Sequence, residues 1–358
     1  MKGKTEALQT PSFIFIFAPS MKNIQSFRTL IDRPQSAVIL THFKPDADAL
    51  GSSLGLAGFL KKKGHKVQVI TPSDYPDFIS WMPGNEEVLA IDRKPETLQK
   101  ASAIISAATV IFCLDFSNLS RINDLGAMVK ASAATKVLID HHLEPEKFAA
   151  FEQWDTTSAS TAGLVFELIE QLEETHYIDQ DIASCLYAGL MTDTGGFRHN
   201  NTHHREFQIA SRLVSMGADP HEIAKEVYDT NTLERLRLTG YVLSQKLNVL
   251  PEYRTAYMTL SQDELRQFGA QTGDTEGLVN YGLSIKGVKL AVLMYDRKEE
   301  IKLSFRSLED FSVNEMARKY FDGGGHKNAS GGTTKLSLEQ TLKKFLEILP
   351  EYKEQLQK

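Results

Sequence analysis

Three short apolar runs, Ala37–Thr41, Thr109–Leu114 and Lys136–Ile139, each lead directly into residues that bind metals or move protons. The first opens onto Thr41-His42-Phe43-Lys44-Pro45-Asp46-Ala47-Asp48, the second onto Asp115, the third onto Asp140-His141-His142. Between the runs the period changes. Leu50, Leu54, Ala57 and Leu60 recur at helical spacing, and Lys61–Lys63 with Gly64 supply a basic last turn and a terminating glycine. Lys66–Ile70 alternates as another strand, and residues 120–132 read as helix. Strands separated by helices need crossover connections, which predicts an α/β fold with a mostly parallel sheet flanked by helices. Ligands of such an open sheet bind outside the carboxyl ends of its strands. All three clusters therefore meet at one edge.

A fourth cluster, Thr192-Asp193-Thr194-Gly195-Gly196, closes an apolar helix. The combined inventory is His42, Asp46, Asp48, Asp115, His141 and Asp193. A lone Asp after a strand is usually a turn or helix cap, and a lone His is more often a satisfied loop or core residue. Assembled at one edge they mean something else. Carboxylates packed together cannot all stay ionised without positive charge between them. A pair of divalent ions supplies that charge. Oxygen and nitrogen donors without sulfur point to Mn²⁺, with Mg²⁺ or Co²⁺ as the alternatives. Two such ions about 3.5–4 Å apart can polarise a phosphoryl oxygen and hold a hydroxide for in-line attack.

The rest of the chain adds a second unit. Helices dominate 158–174, 182–191, 205–216 and 220–247, broken by Gly217-Ala218-Asp219-Pro220. After Pro251 a smaller α/β pattern begins: a strand at Arg254–Leu260, a capping-box start at Ser261-Gln262-Asp263-Glu264, a hairpin of Val288–Tyr295 and Ile301–Ser307, and a helix at Val313–Tyr320. That predicts a first domain over 21–219, a helical connector over 220–250 and a second, smaller α/β domain over 251–358. Residues 1–20 read as a loose extension, with Met21 as an alternative start. No apolar run approaches the ~18 residues a bilayer span needs. Forty Lys+Arg against 46 Asp+Glu gives −6, so the chain lacks the basic footprint of a protein that coats long nucleic acid. Cys113 and Cys185, both in apolar stretches, read as buried thiols of a cytoplasmic protein.

The set His42-x-x-x-Asp46-x-Asp48, Asp115, Asp140-His141-His142 and Asp193 resembles the ordered motifs of the DHH phosphoesterase superfamily. Gly323-Gly324-Gly325-His326-Lys327-Asn328-Ala329-Ser330-Gly331-Gly332 resembles the glycine-rich motif of the accompanying DHHA1 domain. The size fits the NrnA-type oligoribonuclease and pAp-phosphatase branch. The resemblance implies that His42, Asp46 and Asp115 hold one ion, and that Asp48, Asp115, His141 and Asp193 hold the other, with Asp115 shared. It implies that His142 faces the scissile phosphate, with Asp140 orienting a neighbouring imidazole. Arg121 stands where the family has a downstream arginine. In the second domain it makes Arg306, Ser307, Gly323, Gly324, Gly325, His326 and Lys327 the grip on the terminal nucleotide. Arg198, His199 and His203-His204-Arg205 either assist or form a solvated helix start. The expected substrates are short single-stranded RNA, linear dinucleotides such as pApA and pGpG, and pAp, with no membrane partner; a homodimer stays open. The rival readings are an inorganic pyrophosphatase, a RecJ-like single-strand exonuclease and a non-catalytic nucleotide sensor.

Overall fold

The computed structural model describes residues 21–91 and 94–358, so the expected loose extension over 1–20 lies outside the described residues. The first half alternates as the sequence pattern demands. It begins with α1 (Ile24–Ile31), β1 (Ser36–Leu40), α2 (Ala47–Lys62), β2 (Lys66–Thr71), β3 (Leu89–Ala90) and α3 (Pro95–Ala107). It continues through β4 (Val110–Leu114), α4 (Asp124–Ala131), β5 (Thr135–Asp140), β6 (Phe151–Trp154) and α5 (Thr161–Gln171). Helices α6 (Gln180–Asp193), α7 (His204–Ser215) and α8 (Pro220–Tyr228) complete it. The strands form a wholly parallel sheet in the order β3-β2-β1-β4-β5-β6. The chain reverses its winding between β1 and β4, so a crevice opens at the carboxyl ends of those two strands. The motif loops leave from there.

Both faces of the sheet are buried. One carries Ile39, Phe112, Leu114, Val137 and Ile139 against α2, α5 and α6. The other carries Val38, Leu40, Ile111, Cys113 and Leu138 against α3 and α4. This explains why the central strands are continuous apolar runs rather than alternating ones. Helix α2 packs closely on α6, and glycine is the reason. A Cβ at Gly51 would lie 2.4 Å from the Cys185 carbonyl oxygen, and one at Gly189 would lie 2.8 Å from Asp48 Oδ1. The missing side chains let α6 approach closely enough to hold Asp193 beside Asp48.

The second half holds α9 (Leu233–Tyr241), β7 (Asn248–Leu250), β8 (Thr255–Leu260), α10 (Gln262–Gln267), α11 (Leu278–Leu283), β9 (Leu290–Asp296) and β10 (Ile301–Ser307). It ends with α12 (Val313–Tyr320), β11 (Gly324–Gly325), β12 (Ala329–Thr334), α13 (Leu338–Ile348) and α14 (Lys353–Gln357). Its mixed sheet runs β11-β12-β10-β9-β8-β7. Only β8 and β9 pair in parallel. Along β10, Ile301, Leu303, Phe305 and Ser307 are buried, while Lys302, Ser304 and Arg306 share the other, more open face.

One expectation changes here. The helix expected across 220–247 is broken: α8 stops at Tyr228, and Thr232 caps a new helix by accepting from the Arg235 amide. Ile223 and Val227 of α8 pack into the first core, whereas Leu238 and Val242 pack into the second. The segment is thus shared between two cores. The glycine-rich motif is largely strand: Gly331 and Gly332 lie within β12, and Gly324 and Gly325 pair with it. Among the described residues no helix is long and apolar enough to cross a membrane.

Substituting Gly51→Ala drives a methyl group into the α6 backbone. The expected loss is about 1–3 kcal/mol of unfolding free energy, as overpacked cores show. Urea denaturation followed by circular dichroism measures it, and an unchanged midpoint would refute the tight α2–α6 contact.

Candidate metal centre

The two ligand histidines are built alike. His42 Nδ1 lies 2.9 Å from the carbonyl oxygen of Phe43, and His141 Nδ1 lies 3.1 Å from that of Ser158. A carbonyl only accepts, so each Nδ1 carries the proton and each Nε2 presents a lone pair. Both lone pairs point at carboxylates. His42 Nε2 is 4.0 Å from Asp46 Oδ1 and 3.5 Å from Asp115 Oδ2. His141 Nε2 is 3.3 Å from Asp115 Oδ1, 3.4 Å from Asp193 Oδ2 and 3.8 Å from Asp48 Oδ2. It is fully buried and makes no hydrogen bond. A buried lone pair facing three carboxylate oxygens is tolerable only with a cation among them.

The ligand atoms of His42, Asp46 and Asp115 lie within 4.8 Å of one another, and so do those of Asp48, His141 and Asp193. Asp115 turns one oxygen to each group. It does so from a left-handed backbone conformation, φ 64°, immediately after β4, where a non-glycine residue is strained. The donor set fits two hard divalent ions, one on each side of Asp115.

Electrostatics agree. Burial would raise the Asp115 carboxyl, but the neighbouring His141, His42 and His142 imidazoles hold it well below its ordinary value. Burial and the neighbouring carboxylates push Asp48 and Asp193 well above theirs. Burial would lower His141, yet Asp115, Asp193 and Asp48 together raise it well above its usual value. Without added positive charge the cluster has to borrow protons.

Asp46 combines two roles. Its Oδ1 caps α2 by accepting from the amides of Asp48 and Ala49, both at 3.1 Å, while its side chain stays half exposed to the crevice. Asp48 caps a different helix. Its oxygens accept from the amides of Thr161 at 2.7 Å and Ala162 at 2.9 Å, placing the carboxylate at the positive end of α5. Thr161 Oγ1 donates to Asp115 Oδ1 at 2.9 Å. Thr161 and Ser158 thus support three ligands, and sequence reasoning missed both. The available signal was the small hydroxyl run Ser158-Ala159-Ser160-Thr161, which stands just ahead of a helix.

Asp140 accepts from His142 Nδ1 at 2.8 Å, so the imidazole it orients is His142 and not His141. Across the cleft the His326 ring stacks on His142, with centroids 4.3 Å apart and planes at 27°. It also lies 4.6 Å from the His141 ring. Burial, together with His142 and His141, holds His326 well below its ordinary value, in its neutral form. Arg306 lies deep in the same cleft within the fields of Asp193, Asp46 and Glu276; burial lowers its pKa against their pull. Arg306 makes no ion pair among the described residues.

Other expected grip residues are placed differently. Ser307 is buried and bonds Phe311 O at 2.7 Å and Asn328 at 2.9 Å, anchoring the hairpin end. Lys327 pairs with Asp310 at 2.8 Å. Gly323 gives close backbone approach, since its Cβ would sit 2.3 Å from the Gly331 carbonyl oxygen. Gly324 and Gly325 pair with Gly331 and Ser330. Arg121 accepts at its carbonyl from the Phe43 amide and adds charge beside His42. Arg198 donates to Gly195 O at 2.8 Å near Tyr228, and His199 lies within the field of Arg306. His203 and His204 begin α7, and Arg205 binds Glu167 and Asp155 at 2.5–2.7 Å, a structural network away from the ligands.

Thr161→Val keeps the amide bond to Asp48 and removes only the hydroxyl bond to Asp115. Loss of such a supporting bond is expected to weaken metal binding about 10–100-fold. Mn²⁺ titration by calorimetry reads this directly, and unchanged affinity would deny Thr161 its supporting role.

The DHH family N-terminal domain model matches residues 36–190, and the DHHA1 domain model matches residues 252–355. The bifunctional oligoribonuclease and PAP phosphatase NrnA of Thermus thermophilus is 31% identical over 316 residues, covering 87% of this chain and 89% of the relative. The Bacillus subtilis protein of the same name is 28% identical over 298 residues, 83% and 88% of the two chains. A crystal structure of an exopolyphosphatase-related protein from Bacteroides fragilis superposes with a TM-score of 0.89 at 40% identity, covering 96% of this chain and 100% of that one. By domain order, motif set and full-length similarity, this chain is a hydrolase that belongs to the DHH family and carries a DHHA1 domain behind its catalytic one.

Proposed function

We propose that this hydrolase cleaves phosphoester bonds in short oligoribonucleotides, including linear dinucleotides, and removes the 3′-phosphate of pAp. One observation carries the reading: two histidine lone pairs and four carboxylates converge directly opposite the His142–His326 stack and Arg306. The names of the Thermus and Bacillus relatives support the substrate class.

His42, Asp46 and Asp115 would hold one divalent ion, and Asp48, Asp115, His141 and Asp193 would hold the other. When bound, such ions make hydroxide available near neutral pH and offset charge developing on phosphoryl oxygens. Manganese is the proposed ion, since the donors are carboxylate and imidazole. Asp140 fixes the His142 ring through Nδ1, leaving Nε2 to face the leaving oxygen as a proton donor. His326 covers that ring and excludes water from one side. Arg306 supplies a guanidinium for bidentate phosphate contact.

The cleft is short because the domains touch on both sides of it. Arg318 pairs with Glu144. Thr272 donates to Asp74 at 2.9 Å, and the Arg235 guanidinium lies 5.2 Å from the Phe78 ring centroid. A crevice closed this way favours the end of a short strand. We place the reaction in the cytoplasm, where the buried free thiols Cys113 and Cys185 stay reduced.

With Mn²⁺, the expected substrates in a panel are pAp, pApA, pGpG and RNA of two to five nucleotides. Exclusive turnover of pyrophosphate or polyphosphate would overturn the proposal. Asp115→Ala removes the ligand common to both groups and is expected to reduce hydrolysis to background with the fold retained, as exhaustive chelation should in the unaltered protein. Arg306→Ala is expected to raise KM roughly tenfold to hundredfold, the equivalent of about 1.5–3 kcal/mol for a hydrogen bond to a charged group. An unchanged KM would remove Arg306 from the grip.

A further inference from the structure

The open face of β10 carries more positive charge than one scissile phosphate needs. Lys302 and Arg306 sit on this face at opposite ends of the strand, their Cα atoms about 13 Å apart at the usual rise per residue. Arg306 lies within the fields of Asp193 and Asp46. Lys302 stands opposite Tyr295 in the strand register. Arg297 leaves the end of β9 and lies over the Tyr295 ring, 5.3 Å from its centroid, with its guanidinium 3.4 Å from the phenol oxygen. Arg235, from α9, donates to the Glu276 carbonyl at 3.3 Å. The Glu276 side chain lies within the fields of Lys302, Arg235, Arg297 and Arg306.

Four cations thus act on one carboxylate, and none makes an ion pair among the described residues. Their sum stays positive whatever the protonation state of Glu276. In a chain of net charge −6 this is a local reversal of sign. Glu276 also lies within the field of Asp46, and Arg306 within the fields of both Glu276 and Asp193, which ties this group to the metal-centre side of the domain. Four other cations of the second domain are paired, Lys246 with Glu264, Lys289 with Glu309, Lys319 with Glu351 and Lys327 with Asp310, while Arg254 and Lys344 bond backbone carbonyls. The loop that carries Glu276 also ends the cleft, because Thr272 bonds Asp74 and a Cβ at Gly273 would lie 2.7 Å from Pro76.

We propose that Lys302 and Arg297, with Arg235 behind them, form a distal subsite for a second, non-scissile phosphate, the 5′-phosphate of the nucleoside whose 3′-linked phosphate is cleaved. This rests on the function proposed above and extends it. Both pAp and pApA contain that unit, a nucleoside with a 5′-phosphate on one side and the reacting 3′-phosphate on the other. One cleft with a metal centre at one end and a cationic pocket at the other accepts both. The end wall at Thr272–Glu276 stops a strand from extending further in the 5′ direction.

The test pairs substrates that differ only in the distal phosphate: pAp with 3′-AMP, and pApA with ApA. The unaltered protein is expected to prefer the 5′-phosphorylated member of each pair at least tenfold in kcat/KM, mainly through KM. In the Lys302→Ala, Arg297→Ala double variant that preference should collapse at least tenfold, and Lys302→Arg should retain it. A preference kept within twofold by the double variant, or absent from the unaltered protein, overturns the subsite. Calorimetric binding of pAp and 3′-AMP to Asp115→Asn protein gives the same ratio without turnover. If none of the four compounds is hydrolysed by the unaltered protein, the proposed function falls, and the binding ratio still judges the subsite. Both side chains lie outside the cores, so the double variant is expected to fold.

Discussion

The buried proximity of Asp48, Asp115 and Asp193 around the His141 lone pair governs much of the first domain. Like charges at these separations and this depth repel strongly, and burial penalises each of them again. The fold answers with oriented dipoles. The first turn of α5 donates two amides to Asp48, Thr161 donates its hydroxyl to Asp115, and backbone carbonyls hold both imidazoles by Nδ1. These partners organise the ligands and leave their net charge unneutralised, which is what a site for divalent ions requires. Even the helix packing serves the cluster, since Gly189 clears the space that the Asp48 carboxylate fills.

The second domain solves a different problem. It has to approach a strongly anionic centre and still recognise an anion. Near the carboxylates it presents His326, held neutral against His142, and one guanidinium, Arg306. Further along β10 it presents the larger cationic group around Glu276. Two of these cations, Lys302 and Arg306, share one face of β10, where alternate side chains point the same way, while the intervening ones build the apolar core. The contact between Arg235 and Phe78 and that between Thr272 and Asp74 keep this wall facing the metal centre.

Much of this was legible in the chain. The strand-ending clusters at His42, Asp115 and His141 announced both a parallel sheet and the edge where chemistry occurs, because the period change marks the crossovers. The six ligand candidates do converge. Less visible were Thr161 and Ser158, whose contributions are a hydroxyl, an amide and a carbonyl that many loops possess. Lys327 and Ser307 look like phosphate contacts by type and neighbourhood, yet one pairs with Asp310 and the other anchors a hairpin. Lys302, Arg297 and Arg235 carry no motif at all. They come from a strand, a turn and a helix more than 60 residues apart at the extremes, and only folding gathers them.

By itself the sequence determined the order of strands and helices, the candidate metal-binding side chains and the place of a glycine-rich motif behind them. These depend on local periodicity and on side-chain chemistry, which are properties of residue type and spacing. The tertiary structure alone decided which imidazole Asp140 orients, how one aspartate serves two groups of ligands, and where unpaired cations accumulate. Those outcomes depend on direction and distance through space. A carboxylate tells a reader that it can bind a cation, but only its neighbours in three dimensions determine which one.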